Sequence, residues 1–163
     1  MYHGAALTQI AEHPQFTAIN AFSTSGKISR SSFLVNNDIA IYLKYAKEPK
    51  GTFDEYLFTF NEEHLKEIKT IHKKAHKAFV VLVCVKDRQI CCISHDEIFE
   101  MIDERKRRKK APEKTYTILV TVPKSKSLRV YMNAPGKKKV YIKERVISRS
   151  KFPTVVFEES ENT

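Results

Sequence analysis

The apolar positions of the chain predict a central strand from Ala78 to Val85. Every residue in this run is apolar, whereas a strand with one face in water alternates apolar and polar residues. The run therefore predicts a strand that is covered on both faces. A polar turn and a second apolar segment, Ile90 to Ile93, follow it, and together they predict a hairpin.

A helix is predicted immediately after this hairpin. Ser94 and Glu97 have the spacing of a capping box, in which the serine side chain caps the first turn and the glutamate bonds back to the serine N–H. Ile98, Met101 and Ile102 share the inward face. The helix continues into the run of cations from Arg105 to Lys110, and we expect it to end before Pro112.

The first half of the chain has the pattern of a helix, a meander and a second helix. Apolar spacing predicts a helix over residues 3–13. Residues 32–35 and 39–45 predict a hairpin around Asn36-Asn37-Asp38, and residues 56–60 a third strand of the same antiparallel meander. Asn61 is expected to cap a helix that reaches about His76. Tyr42 and Lys44 share one strand face, which we expect to meet solvent or a ligand.

Alternating residues predict that the chain is all-β from Thr115 onward. Residues 115–122, 128–132 and 139–143 have strand patterns, and Arg129 and Tyr131 are expected to point outward. The predicted fold is therefore α+β, with a mixed, mostly antiparallel sheet, about three helices and a β-rich C-terminal half. Residues 1–163 are expected to form a single domain. A division, if present, would separate an α/β core (1–104), a β-rich basic half (113–157) and a frayed acidic tail (158–163).

The composition is that of an ordinary globular protein except for its charge. Of the 163 residues, 42% are hydrophobic and 29% are charged, which argues against disorder. The N-terminus lacks the basic and apolar regions of a signal peptide, and no apolar run approaches the roughly 18 residues of a membrane span. Cys84, Cys91 and Cys92 lie in apolar segments, as expected of reduced thiols. We therefore expect a cytoplasmic protein without a membrane partner.

The net charge of +10 favours a polyanionic partner, above all nucleic acid. The cations cluster after residue 104, and in the β-rich half they alternate with tyrosines of the kind that stack on bases. The leading hypothesis is a non-enzymatic protein that binds the phosphate backbone with little sequence specificity. The predicted contact residues are Arg105, Lys106, Arg107, Arg108, Lys109, Lys110, Lys124, Lys126, Arg129, Tyr131, Lys137, Lys138, Lys139 and Tyr141.

Metal chemistry finds little support in the sequence. Cys91, Cys92 and His95 are residue types that bind zinc, but adjacent cysteines on a strand point to opposite faces and a fourth ligand is missing. His95 is better interpreted as part of the first helical turn. We therefore predict no metal and no cofactor for the leading hypothesis.

The order of the predicted elements from Ala5 to Val85 resembles the core of the restriction-endonuclease-like nucleases. That resemblance implies carboxylates around a divalent metal, Mg²⁺ or Mn²⁺, which activates water and stabilises charge on the scissile phosphate. The candidate residues are Asp38, Glu48, Lys50 and Asp54, and Tyr42 stands where the family has an acid. A metal-dependent nuclease, or a degenerate relative that only binds, is the second hypothesis.

A third hypothesis is a protein-interaction module, or a homodimer, that uses an exposed β-edge of the C-terminal half. It differs from the first two in its partner, which is a protein and not a nucleic acid.

Overall fold

The apolar run at the centre of the sequence forms a strand in the middle of a mixed sheet. The computed structural model describes residues 3–24 and 26–158. The elements in chain order are α1 (His3–Ala11), β1 (Ile19–Thr24), β2 (Lys27–Val35), β3 (Ile39–Ala46), β4 (Glu55–Asn61), α2 (Glu62–Lys74), β5 (Lys77–Cys84), β6 (Gln89–Ser94), α3 (His95–Lys109), β7 (Thr115–Thr121), β8 (Leu128–Ala134), β9 (Lys137–Ile147) and α4 (Thr154–Phe157). The predicted α+β class is confirmed.

The strands form two sheets. The first has the order β1-β2-β3-β5-β6, and only β3 and β5 are parallel, since α2 provides the crossover between them. The second is antiparallel and has the order β4-β7-β8-β9. The meander is therefore β1-β2-β3, and the prediction that residues 56–60 form its third strand is wrong. Strand β4 pairs with β7 from Glu55–Thr121 to Asn61–Thr115.

The first sheet is covered on both faces, which explains its uniformly apolar strand β5. Val80, Leu82 and Cys84 face an inner core that is shared with α2, α3 and the second sheet. Val81 and Val83 face an outer core that is covered by α1 and α4. The inner core joins residues before 104 to residues after 113, so the boundary considered between them passes through one hydrophobic cluster.

The prediction for the Tyr42 face of β3 is wrong, because that face points into the inner core. Tyr42 is buried and lies near Phe60 and His64, and burial raises the pKa of its hydroxyl. Lys44 is half-buried, with Nζ 5.2 Å from the centroid of the Phe60 ring. This face therefore meets packed rings and not solvent.

The predicted helix starts are confirmed. Ser94 Oγ accepts from the Glu97 N–H, and the Glu97 carboxylate accepts from the Ser94 N–H. At α2, Asn61 accepts from the His64 N–H, and the His64 imidazole accepts from the Asn61 N–H. Helix α3 ends with Lys110 in the left-handed region, before Pro112 as expected.

The C-terminal segment contains a short helix that the sequence pattern did not predict. Val156 and Phe157 of α4 are buried against the first sheet. The carbonyl of Glu158 accepts a hydrogen bond from Lys77 Nζ, so the first residue of the expected frayed tail is attached. The rest of that tail, residues 159–163, lies outside the described residues. Among the described helices, none is long and apolar enough to cross a membrane.

Candidate nucleic-acid interface

The cations of the basic run at the end of α3 contact different parts of the protein, and the first of them, Arg105, points inward. The Arg105 guanidinium bonds to both carboxylate oxygens of Glu113 and donates to the Asn133 carbonyl at 2.6 Å. Both side chains of the Arg105–Glu113 pair are largely buried. Arg105 therefore connects α3 to β8. Its guanidinium is occupied by these contacts and is not directed at a phosphate chain.

The next cations along the helix are held by carboxylates. Arg107 and Arg108 both pair with Glu104, one helical turn earlier. Hydrogen bonds from Arg107 lower the pKa of Glu104 to about 2, so this carboxylate stays charged. Lys109 pairs with Glu113 at 3.0 Å. These ion pairs reduce the charge that this side of the helix presents to a polyanion.

Lys106 lies on a different side of α3, over the ring of Tyr116, with Nζ 5.8 Å from the ring centroid. It lines a groove of 510 Å³ between α2, the end of α3 and the start of β7. We call this groove the lysine groove, and its lysines are Lys66, Lys69, Lys106 and Lys114. Leu65 and Pro112 form its apolar wall.

The lysine groove carries an excess of positive charge. Among the residues that the structure describes, none of its lysines forms an ion pair with a carboxylate. Two acids, Glu62 and Glu113, also line it, but Glu113 is already neutralised by Arg105 and Lys109. The ammonium of Lys69 lies over Phe99, 5.0 Å from its ring centroid. Such contacts with aromatic faces hold a cation in place without neutralising it.

The predicted lysines after residue 120 lie in the second sheet, either in the β7–β8 turn or at the start of β9. Lys124 and Lys126 follow β7, at the opposite end of that strand from the groove residue Lys114. Seven strand residues span about 23 Å, so these two lysines form a separate surface. Lys137 lines a cleft of 730 Å³ on the outer side of the second sheet, and Lys139 Nζ lies 5.1 Å from the Phe53 ring centroid. The side chain of Lys138 lies outside the described part of the structure.

Of the predicted stacking residues, Tyr131 is not available to bases. Tyr131 is only 2% exposed, and its hydroxyl donates to the Glu55 carboxylate. Tyr141 covers it, with 4.0 Å between the ring centroids, and Arg129 pairs with Glu144 at 3.1 Å. Tyr131 lies on the outer face of β8, opposite Val130 and Met132, as expected, but Tyr141 of β9 and Glu55 of β4 cover it from solvent.

The carboxylates of the nuclease hypothesis do not converge on one point. Asp38 precedes β3 and Glu48 follows it, and the eight residues of that strand span about 26 Å. Glu48 is instead paired with Lys50 at 3.0 Å on the surface. Asp54 lies in the β3–β4 loop with a positive φ of 48°. Asp38 and Glu48 are therefore too far apart to share one metal ion, as the nuclease hypothesis requires of its carboxylates.

The edge strand of the C-terminal half carries features that protect an edge from pairing. Strand β9 is rich in lysine, and Lys139 and Lys143 have positive φ values that interrupt it. Charged residues and irregularities of this kind discourage edge-to-edge association. Val146, 61% exposed, is an apolar exception on this strand.

Cys91, Cys92 and His95, the combination that the sequence made an unfavourable zinc site, are not grouped as metal ligands in the described structure. Cys84, Cys91 and Cys92 are buried free thiols, and burial raises the pKa of Cys91 to about 12. His95 begins α3, as predicted, and within the described residues it belongs to the one group with potential metal ligands, His72, His95 and Asp96. His72 and His95 are 23 positions apart in the chain, so their spacing in the sequence does not indicate that they meet in the fold.

A scan of protein-family models finds no match to the chain, and searches of curated proteins and of solved structures likewise find none.

Lys66 and Lys69 of α2 and Lys114 of the loop before β7 line the lysine groove but are not among the predicted contact residues. Lys66 and Lys69 belong to a charged helix face, which is usually a solvated surface. The available signal was their position opposite the apolar stripe of Leu65, Ile68 and Ile71. The position of Lys66 and Lys69 on the helix does not indicate that Lys106 and Lys114 line the same groove.

Proposed function

We propose that this protein binds nucleic acid through the phosphate backbone, with the lysine groove as the primary contact surface. The observation that carries the proposal is the convergence of four lysines, two from α2, one from α3 and one from the loop before β7, without carboxylate partners in the described structure. Unpaired ammonium groups gathered in a groove attract a chain of phosphates and release its counterions.

The chemistry of the groove favours backbone contact over base recognition. Lysine presents a compact charge with rotatable donors, whereas recognition of a base edge needs the fixed donor geometry of arginine, asparagine or glutamine. Tyr116 is buried beneath Lys106 and offers no free face for stacking. We therefore propose binding with little sequence preference and no catalytic step.

The salt dependence of binding tests the proposal. Each phosphate contact contributes roughly 0.9 to the slope of log K against log salt for a duplex and roughly 0.7 for a single strand. Four contacts predict a slope of about −3.6 or −2.8, respectively. Fluorescence anisotropy with labelled 20-mer duplex DNA, single-stranded DNA and RNA between 50 and 300 mM salt measures it. Absence of binding to all three at the lowest salt would refute the proposal.

Matched charge changes locate the surface. Lys66→Gln combined with Lys106→Gln removes two groove cations, and we expect the slope to fall by about 1.4 to 1.8. Lys124→Gln combined with Lys126→Gln removes the same charge from the far end of β7 and should change the slope by much less. If the two pairs of substitutions weaken binding equally, the net charge and not the lysine groove determines the affinity.

A further inference from the structure

Two histidines from different helices meet where α2 ends and α3 begins. His72 lies in the last turn of α2, and His95 is the first residue of α3. Their rings are stacked, with 3.7 Å between centroids and 3° between planes. Asp96 Oδ1 lies 2.8 Å from His95 Nδ1. One ligand atom from each of these three residues lies within 4.8 Å of the other two.

The fold brings these residues together through the β5–β6 hairpin. Strand β5 starts just after α2, and its residue Phe79 pairs with Ser94 at the end of β6. The hairpin therefore places the start of α3 beside the end of α2. The junction encloses a cavity of 230 Å³, lined by both histidines, by Asp96 and by a third histidine, His76.

We propose that this junction binds a divalent transition metal such as Zn²⁺ or Ni²⁺, with His72 and His95 as its imidazole ligands. Imidazole nitrogen suits these metals, whereas Mg²⁺ and Ca²⁺ prefer oxygen ligands. Asp96 accepts the Nδ1–H of His95 and leaves Nε2 as the ligand atom, an arrangement that is common behind metal-bound histidines. His76 and water, from the wall and opening of the cavity, complete the coordination.

The two imidazoles must reorient before they can share a metal. A metal lies in the plane of each imidazole that binds it, and the rings of His72 and His95 lie in nearly parallel planes, with 3.7 Å between their centroids. Two nitrogens on a tetrahedral zinc lie about 3.3 Å apart, with zinc–nitrogen bonds of about 2.0–2.1 Å. Rotation of the two side chains into the adjoining cavity of 230 Å³ brings their nitrogens to such an arrangement.

The chain contains few competing ligands for such a metal. The three cysteines are buried and protonated, since burial raises the pKa of each thiol. His64 is engaged in the N-cap of α2. His13 stacks on Phe157 with 4.4 Å between ring centroids. It does not belong to the group of His72, His95 and Asp96 and serves as a control histidine.

Isothermal titration calorimetry of the full chain with ZnCl₂, and separately with NiCl₂, tests the proposal in the absence of nucleic acid. We expect one equivalent to bind to the unmodified protein. His72→Gln and His95→Gln should each weaken binding at least tenfold. Asp96→Asn should weaken it by about 10- to 100-fold, because the charged acceptor of the His95 Nδ1–H is lost. His13→Gln should bind like the unmodified protein.

A second measurement separates a built site from adventitious binding. Long-range ¹H–¹⁵N spectra of the imidazoles should show metal-dependent changes at the nitrogens of His72 and His95. Circular dichroism melts establish that the glutamine variants are folded before they are titrated. Unchanged affinity in both His72→Gln and His95→Gln would overturn the proposal, as would an equal loss in His13→Gln, which would indicate an adventitious ion only.

Discussion

Replacing Arg105 by methionine removes a guanidinium but keeps most of the side-chain volume. In the folded protein this guanidinium bonds to the Glu113 carboxylate and to the Asn133 carbonyl. The substitution leaves a carboxylate that is largely buried, with only Lys109 as its remaining partner. It also removes the side-chain donor to the carbonyl of β8. We therefore expect a substantial loss of stability at a position that simple charge counting would assign to binding.

The expected magnitude follows from burial. Breaking a fully buried ion pair by removing one partner costs about 3–5 kcal/mol, and a hydrogen bond to a charged group contributes about 1.5–3 kcal/mol. The two side chains are 20% and 16% exposed, so solvent screens part of the interaction. We expect a loss of about 2–3 kcal/mol in the free energy of unfolding. For a chain of this length, that corresponds to a decrease of about 4–12 °C in Tm.

Urea denaturation followed by circular dichroism measures this loss, because the chain contains no tryptophan. Arg107→Met is the matched control: it removes an arginine from the same run, but that side chain is 72% exposed and pairs only with Glu104. Arg107 itself is exposed, and Glu104 keeps Arg108 as a partner, so the unfolding midpoint should fall much less in the control than in Arg105→Met. If Arg105→Met is as stable as Arg107→Met, Arg105 does not hold α3 to β8 and belongs with the exposed cations.

Two further predictions concern the helix start and the acid response. Ser94→Ala should destabilise the protein by about 1 kcal/mol in urea, because the Glu97 N–H loses its cap, whereas Ser94→Thr should retain most of that free energy. Arg105 lowers the pKa of the Glu113 carboxyl below its ordinary value of 4.5. The charged carboxylate therefore stabilises the fold above pH 4.5, and this contribution is lost as the pH falls through the lowered value. The plot of unfolding free energy against pH below 5 should be flatter for Glu113→Gln, and an equal slope in both proteins would contradict the assignment.

Local signals in the sequence were sufficient for the elements around β5. A run of eight apolar residues has few interpretations other than a strand with both faces covered. The Ser94–Glu97 spacing fixes a helix start within one turn. In each case the residues that decide the structure are neighbours in the chain, so no information about distant elements was needed.

Strand partners depended on distant residues and were harder to predict. Strand β4 buries Tyr56, Phe58 and Phe60 on one face, and this alternation is the same whichever sheet the strand joins. Its partner β7 begins more than 50 residues later, so the local pattern could not distinguish the meander from the second sheet. Tyr131 illustrates the same limit: alternation placed it opposite Val130 and Met132, but β9 and Glu55 cover that face.

The sequence predicted the positive charge of the candidate interface but not which of its cations form ion pairs. Composition and clustering identify an excess of cations after residue 104. Whether each cation is paired depends on acids such as Glu104 and Glu113 and on the angle at which α3 meets the second sheet. The candidate metal site could not be predicted from local sequence either, because the β5–β6 hairpin is what brings His72 and His95 together.

Helical geometry explains why the basic run cannot act as one binding surface. Successive residues of an α-helix are rotated by about 100°, so a run of six cations covers every side of the last turns of α3. Arg105 points to β8, Arg107 and Arg108 return to Glu104, and Lys106 points to the lysine groove. A polyanion that lies in that groove gains from Lys106 together with lysines distant in sequence, and gains little from the neighbours of Lys106. Under the proposed function, the affinity for nucleic acid should therefore follow the groove lysines of α2 and of the loop before β7 more closely than the length of the basic run.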